Sequence, residues 1–295
     1  MNGNETKNTR FWDALCDPAR RPFAVELDSP AGSDIARYMQ GARELRDGGA
    51  ELITVPDSPL ALARMDACMT ACKLRRELGI EVMPHLACRD RNRIAAQALL
   101  LGLSAEEIEN ILLVTGDPIP RERRETDKGV YHFNSRGLIE FVAGLNETLF
   151  PAPFHLFAAL NMNARSFPIQ LELALEKEAR GAVGFLTQPV FTEEALDNLR
   201  LARKTLHAKL LGGIMPIVSH KNALYLNRAV AGISVDEKTI ARYEGADMER
   251  GEAIALELSL EIAARMAPYV DGYFLITPFS RTSLMVRIME AIREL

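Results

Sequence analysis

The sequence predicts a single (β/α)8 barrel, and three observations carry the prediction. Eight short runs rich in Val, Ile, Leu and Phe recur along the 295 residues. Segments with helical periodicity lie between them. No linker-like stretch interrupts the alternation. Near-continuous apolar strands separated by amphipathic helices imply a parallel sheet covered by helices. Eight units without a break favour closure into one barrel over division into two domains, so residues 1–295 are expected to form one unit.

Each element has its own justification. Residues 1–20 are polar, lack the apolar core of a signal peptide, and are expected to form an N-terminal helical extension. The first strand is FAVEL (23–27), leaving the sheet through Glu26, Leu27 and Asp28. DIARYMQGARELRDGGA follows, with Ile35, Tyr38, Met39, Ala42 and Leu45 on one helical face. LITVP (52–56) contains Val55 and exits on Pro56 and Asp57, and EVMPHLAC (81–88) contains His85. NILLVTG (110–116) runs into Thr115-Gly116-Asp117-Pro118. There the glycine lets the backbone turn close to a ligand, while Pro118 ends the strand and holds Asp117 extended. FHLFAAL (154–160) contains Ala158 and Leu160 and exits on Asn161. GFLTQPV (184–190) presents Gln188, and the next helix opens on Thr192 with Glu193 and Glu194 in its first turn. LLGGIMPI (210–217) and GYFLITP (272–278) complete the set, the last exiting on Thr277 with Arg281 soon after.

The C-terminal ends of these strands carry Glu26, Asp57, His85, Asp117, Asn161, Gln188 and Thr277, which a packed core would not need. In a barrel of this kind the active site is built at that face, from strand ends and the loops after them. Convergence of polar groups on one mouth predicts an enzyme site there.

Bulk properties narrow the class. A charge of −5 and a pI near 5.7 argue against nucleic acid as partner. No apolar run approaches the roughly 18 residues of a membrane span. The four cysteines, Cys16, Cys68, Cys72 and Cys88, form no CxxC pair and no zinc-like cluster with histidine. Cys68 and Cys72, four apart on a helix, read as small buried hydrophobes. A cytoplasmic, reduced protein with no bound metal is the expectation.

Taken in order, FAVELDSP, ITVPDSPLALARMD, MPHLACRDRN, LLVTGDPIP, AALNMN, GAVGFLTQPVF, GGIMPIVS and FLITPFSR resemble the methylenetetrahydrofolate reductase family, over nearly the whole chain. They look closest to the branch whose reductase module is found fused to a homocysteine methyltransferase domain, a domain these 295 residues do not contain. The resemblance implies a (β/α)8 flavoprotein that passes a hydride from NADH or NADPH through FAD to 5,10-methylenetetrahydrofolate, with self-association possible. It implies Glu26 as the acid that helps open the folate's five-membered ring, with Asp28 the second choice. Asp117 would approach pterin and flavin together, and Gln188 and Arg281 would join it in binding substrate. Val55, His85, Thr115, Gly116, Asp117, Ala158, Leu160, Asn161 and Lys177 would hold FAD, the lysine near its phosphates. No GxGxxG is present, as expected of a barrel that holds FAD without a Rossmann fold.

The chain departs from the family at ELDSP, at Leu160 where many relatives have an aromatic, and at SHKNALYLNRAV, which lacks a Phe and a Gln used for nicotinamide and folate. RERRETDKG after the fourth strand is a charged tract that reads as a solvated loop. Two other readings stay open at this point. Glu26, Asp28, Asp57 and Asp117 could hold a divalent metal in a barrel aldolase or hydrolase. Alternatively, the chain could be a flavin- or folate-binding subunit that works only within a redox complex.

Overall fold

A computed structural model describes residues 10–229 and 232–295. Eight parallel strands close into a barrel in chain order: β1 (Phe23–Glu26), β2 (Leu52–Val55), β3 (Glu81–Ala87), β4 (Asn110–Val114), β5 (His155–Leu160), β6 (Gly184–Pro189), β7 (Lys209–Ile214) and β8 (Gly272–Ile276). β1 pairs with β2 on one side and with β8 on the other, which leaves no free sheet edge. The expected (β/α)8 barrel is the observed fold. Strand seven is shorter than the run LLGGIMPI suggests, ending at Ile214. Pro216 lacks the N–H that a continuing ladder needs.

Helices alternate with the strands: α2 (Ala36–Asp47), α3 (Ala67–Leu78), α4 (Arg93–Ala105), α5 (Ser135–Asn146), α6 (Phe167–Ala179), α7 (Glu193–Thr205) and, after β8, α11 (Thr282–Arg293). Three helices, α8 (His220–Ala229), α9 (Glu237–Ala241) and α10 (Met248–Met266), stand between β7 and β8. Side chains at the starts of α3, α4, α5 and α7 accept from the first turn, so Asp66, Asn92, Asn134 and Thr192 fix where each helix begins. Cys68 is buried and Cys72 half-buried against the same core, as their spacing implied.

Two apolar layers result. The outer one fills the space between strands and helices, and includes Val25, Ile53, Val55, Ala158 and Leu160. The inner one fills the barrel itself with Ala24, Leu52, Met83, Leu112, Phe157, Leu186, Leu211 and Phe274. A short helix, α1 (Phe11–Cys16), adds Phe11 and Leu15 to this inner layer and so plugs one end. Trp12 beside them stacks on His155 at 4.4 Å. Residues 1–9 of the expected N-terminal extension lie outside the described residues. Among the described residues, no helix is long and apolar enough to cross a membrane.

Candidate active site

Strand side chains alternate between faces, so each inner-layer residue predicts the next inward position two residues on. Above Ala24, Leu52, Met83, Leu112, Phe157 and Phe274 stand Glu26, Thr54, His85, Val114, Ala159 and Ile276. They lie at the open end of the barrel, opposite the α1 plug. There a cavity of about 1370 Å³ is bounded by Glu26, His85, Gly116, Asp117, Ala159 and Gln188, among others. An irregularity in the β6–β7 pairing between Leu186 and Pro189 lets both Thr187 and Gln188 line it. Thr187 Oγ1 also accepts from Gly213 N at 2.8 Å, which holds the bulge.

Glu26 is the chemical centre of the cavity. Burial pushes its carboxyl up to about 8, and the nearby charges of Asp28 and Asp117 push the same way. His85 faces it, with Nε2 3.9 Å from Glu26 Oε2, too far for a hydrogen bond. Burial pushes His85 down to about 3, and its Nε2 has no partner. A neutral acid therefore faces a neutral imidazole at pH 7. The buried Oγ1 atoms of Thr54 and Thr277 also lack partners. Thr277 N donates to Glu26 O at 3.3 Å, fixing the strand end that carries the acid. Of these residues, His85 and Thr277 line the cavity with Glu26, whereas Thr54 lies beneath it.

Asp117 reaches the mouth because Gly116 adopts φ +86°. A Cβ at 116 would sit 3.0 Å from Ala87 Cβ and 3.1 Å from Arg89 Cβ. The Asp117 carboxylate is exposed, and its Oδ2 accepts from Leu60 N at 2.6 Å. Arg89, itself buried, donates to Asp117 O and Ser58 O, at 3.2 Å each. Its neighbour Arg91 is ion-paired with Asp57, whose Oδ2 also accepts from Ala87 N at 3.0 Å. Asp57 is thereby committed to joining the exits of β2 and β3. Burial pushes Asp28 upward, opposed by Arg64, whose Nη2 lies 3.8 Å from its carboxylate.

The structure brings together Glu26, His85, Gly116, Asp117 and Gln188, with Asp28 beside them, and leaves the other expected residues off the cavity wall. Val55, Ala158 and Leu160 point their side chains outward into the helical layer, and Ala159 takes their place on β5. Thr115 is exposed, and its carbonyl accepts from Arg89 N at 3.1 Å. Asn161 Oδ1 accepts from Asn163 N at 2.9 Å. Lys177 donates to Ala159 O at 2.9 Å, and burial pushes its amine down to about 8. Arg281 is ion-paired with Glu252 of α10. Among the described residues, no group of three or more His, Cys, Asp or Glu is placed to hold a metal ion.

Thr54 and the two arginines after β3 do not stand out in the sequence as site residues. Thr54 is readable there only as the inward neighbour of Leu52. Arg89 and Arg91 are readable only as unusual charge density in CRDR at a strand exit.

A family model described as methylenetetrahydrofolate reductase matches residues 15–292. The chain belongs to the methylenetetrahydrofolate reductase family. No curated protein matches its sequence. Among solved structures it is similar to an uncharacterized protein from Clostridium thermocellum that binds two copies of 5-methyl-5,6,7,8-tetrahydrofolic acid. That match has TM-score 0.65 and 11% identity, covering 93% of this chain and 95% of the other. It is also similar to tryptophan synthase from M. tuberculosis, in an open form with BRD0059 bound. There the TM-score is 0.55 and the identity 13%, over 96% of each chain. Both likenesses concern the barrel.

Proposed function

We propose that this family member reduces 5,10-methylenetetrahydrofolate to 5-methyltetrahydrofolate, with FAD carrying the hydride and a reduced nicotinamide, NADH or NADPH, supplying it. The observation that carries the reading is Glu26, a carboxyl held protonated near neutral pH at the floor of a ligand-sized cavity. Ring opening of the methylene folate breaks a C–N bond whose electron pair stays on nitrogen. A positioned acid that protonates this nitrogen lowers the barrier, and its pKa should lie near the working pH. Glu26 meets both demands. FAD, when bound, supplies the hydride for the resulting iminium carbon. Two observations support a flat ring system there, a cavity of about 1370 Å³ and the turn at Gly116 that brings backbone to its wall. His85 and Thr277 line the same cavity.

Asp117 offers a two-oxygen acceptor to pterin N–H donors, and Gln188 offers a donor and an acceptor on the facing side. Of the flavin-holding residues that the family resemblance implies, His85, Gly116 and Asp117 would act at the ring. Lys177 would have to leave Ala159 O before meeting a phosphate.

A second reading has its own observation. Ala158 and Leu160, implied as FAD neighbours, point into the helical layer, and the Lys177 amine is taken up by Ala159 O. A folate-binding protein without flavin, or a subunit dependent on a partner's electrons, would look like this. The solved neighbour described as binding two methylated folates is consistent with it.

An anaerobic spectrum decides between them. Purified protein should show a yellow flavin band that bleaches with NADH or NADPH and recovers on adding methylenetetrahydrofolate. Recovery after chemical reduction but no response to either nicotinamide would move the donor to a partner. Protein that binds folate yet takes up no FAD would overturn the reductase reading.

A further inference from the structure

One helix of the outer ring is apolar on both sides. The segment IAAQALLLGLSA, which makes up α4 after its first residue, carries no charge. Its inward side is accounted for, with Ala96, Leu100 and Leu103 buried in the core. Its outward side is Ile94, Ala95, Ala98, Leu101, Gly102 and Ala105, all of them exposed. Ile94, at 81%, is the most exposed large apolar side chain among the described residues. A helix at the boundary with water normally turns charged residues outward, and α7 does so with Glu193, Glu194, Asp197 and Lys204. A helix that is apolar all round is the kind a protein buries.

The charges at its ends select what covers it. Negative charge is favourable at a helix N-terminus and positive charge at its C-terminus. Helix α4 has the reverse, with Arg93 as its first residue and Glu106 and Glu107 directly after its last. Glu106 is taken up by Arg76 of α3, at 3.3 Å. Arg93 lies over the Phe141 ring, and neither it nor Glu107 has an ion-pair partner among the described residues. A second α4 laid antiparallel on the first brings each Arg93 to the other's Glu107. The same arrangement sets Ile94 against Ala105, and Ala98 against Leu101 and Gly102. Close approach is open there, because even a Cβ on Gly102 would meet nothing within 4 Å.

We propose that the outer face of α4 pairs with the same face of a second copy of this chain, antiparallel about a two-fold axis that passes between Ala98 and Leu101. Such a pairing uses one patch twice and closes at two copies. Ile94, Ala98, Leu101 and Ala105 recur at the alternating spacing of a coiled-coil seam, which suits helix against helix. Helix α4 follows β3, so it starts at the cavity end of the barrel and finishes at the plugged end. The antiparallel pair therefore points the two cavities in opposite directions and leaves both open. Its strength is limited by area. A helix of 13 residues offers a strip about 20 Å long and about 10 Å wide, less than the ~800 Å² per partner of a tight complex, which sets the dimer in the micromolar range.

Sedimentation equilibrium of the full chain across the micromolar range tests this. Leu101→Glu and Ala98→Glu put a carboxylate into the seam, and each should weaken the dimer by on the order of a hundredfold. Both positions are exposed in the single chain, so circular dichroism and the thermal midpoint of dilute protein should match the parent's. Arg93→Glu and Glu107→Arg should each weaken the dimer about tenfold, since each makes two like-charged contacts across the axis. The two together should restore it, because every reversed charge then meets a reversed partner. That restoration is specific to an antiparallel pair of identical chains. A parent that stays monomeric up to millimolar concentration would overturn the proposal. So would a dimer indifferent to Leu101→Glu and Ala98→Glu, or a double swap as weak as the single ones, because α4 would then face something other than its own copy.

Discussion

Replacing Glu26 with Gln removes the one group whose protonation the proposed reaction needs, and the structure sets the size of the effect. The carboxyl rises from 4.5 to about 8 on folding. Below pH 4.5 both folded and unfolded chains hold the proton, and the raised value changes nothing. Between 4.5 and about 8 only the folded chain holds it, so stability falls as pH rises, by about 1.4 kcal/mol per unit. At pH 7 the loss is about 3 kcal/mol, and above pH 8 it levels off near 5 kcal/mol. Glu26→Gln has no proton to lose. It should equal the parent in stability near pH 4.5 and exceed it progressively up to pH 8.5. Urea unfolding of both proteins at half-unit steps gives the difference curve, in which titrations of groups not coupled to Glu26 cancel. An infrared carboxylic-acid band present in the parent at pH 7 and absent from the variant would report the same proton directly. In activity, the variant should still allow the flavin to be reduced by nicotinamide while losing folate reduction, and the parent's folate step should decline above about pH 8. Parallel stability curves across pH 5 to 8 would refute the assignment of a protonated Glu26.

Other perturbations test neighbouring parts. Asp117→Asn removes a charge that raises Glu26, so the alkaline limb of the pH–rate profile should move to lower pH, and an unmoved limb would separate the two residues. His85 is held neutral with its pKa lowered to about 3, so it costs stability as pH falls below the unfolded value of 6.5, and His85→Asn should flatten that acid limb in a denaturation series. Gly116→Ala puts a Cβ 3.0 Å from Ala87 Cβ at φ +86° and should destabilise by about 2 kcal/mol, with folate affinity reduced because Asp117 shifts. Trp12→Ala strips the stack on His155 at the plugged end and should lower stability by on the order of 3 kcal/mol while leaving folate affinity unchanged. A parallel loss of affinity would show that the plug reaches the site.

The barrel was legible because its signal is repeated. Eight apolar runs with helical spacing between them leave little freedom, and β1 to β8 fall within or close to those runs. The site was legible only where a polar side chain broke the apolar pattern. Glu26, His85 and Gln188 are such breaks, and each lines the cavity. On β5 the run FHLFAAL is apolar on both faces, so alternation carries no sign of which residues look inward. Phe157 entering the barrel core is what turns Ala158 and Leu160 outward and Ala159 inward. Arg281 failed differently. Its partner Glu252 lies 29 residues earlier on α10, and no local pattern announces a pairing across that distance.

The same pairing logic sorts the acids at the strand exits into two kinds. Asp57 and Asp66 are both taken up by Arg91, and Asp90 by Arg89, so three carboxylates and two guanidiniums become a cross-brace between the exits of β2 and β3. Glu26, Asp28 and Asp117 have no such partner within 3.5 Å among the described residues, the nearest guanidinium being Arg64 at 3.8 Å from Asp28. Three carboxyls sharing one cavity with so little compensation cannot all be charged at low cost. The most buried gives way, and that is Glu26. Burial does most of this, and the charges of Asp28 and Asp117 add to it, so the proton stays on the one acid that the chemistry would use.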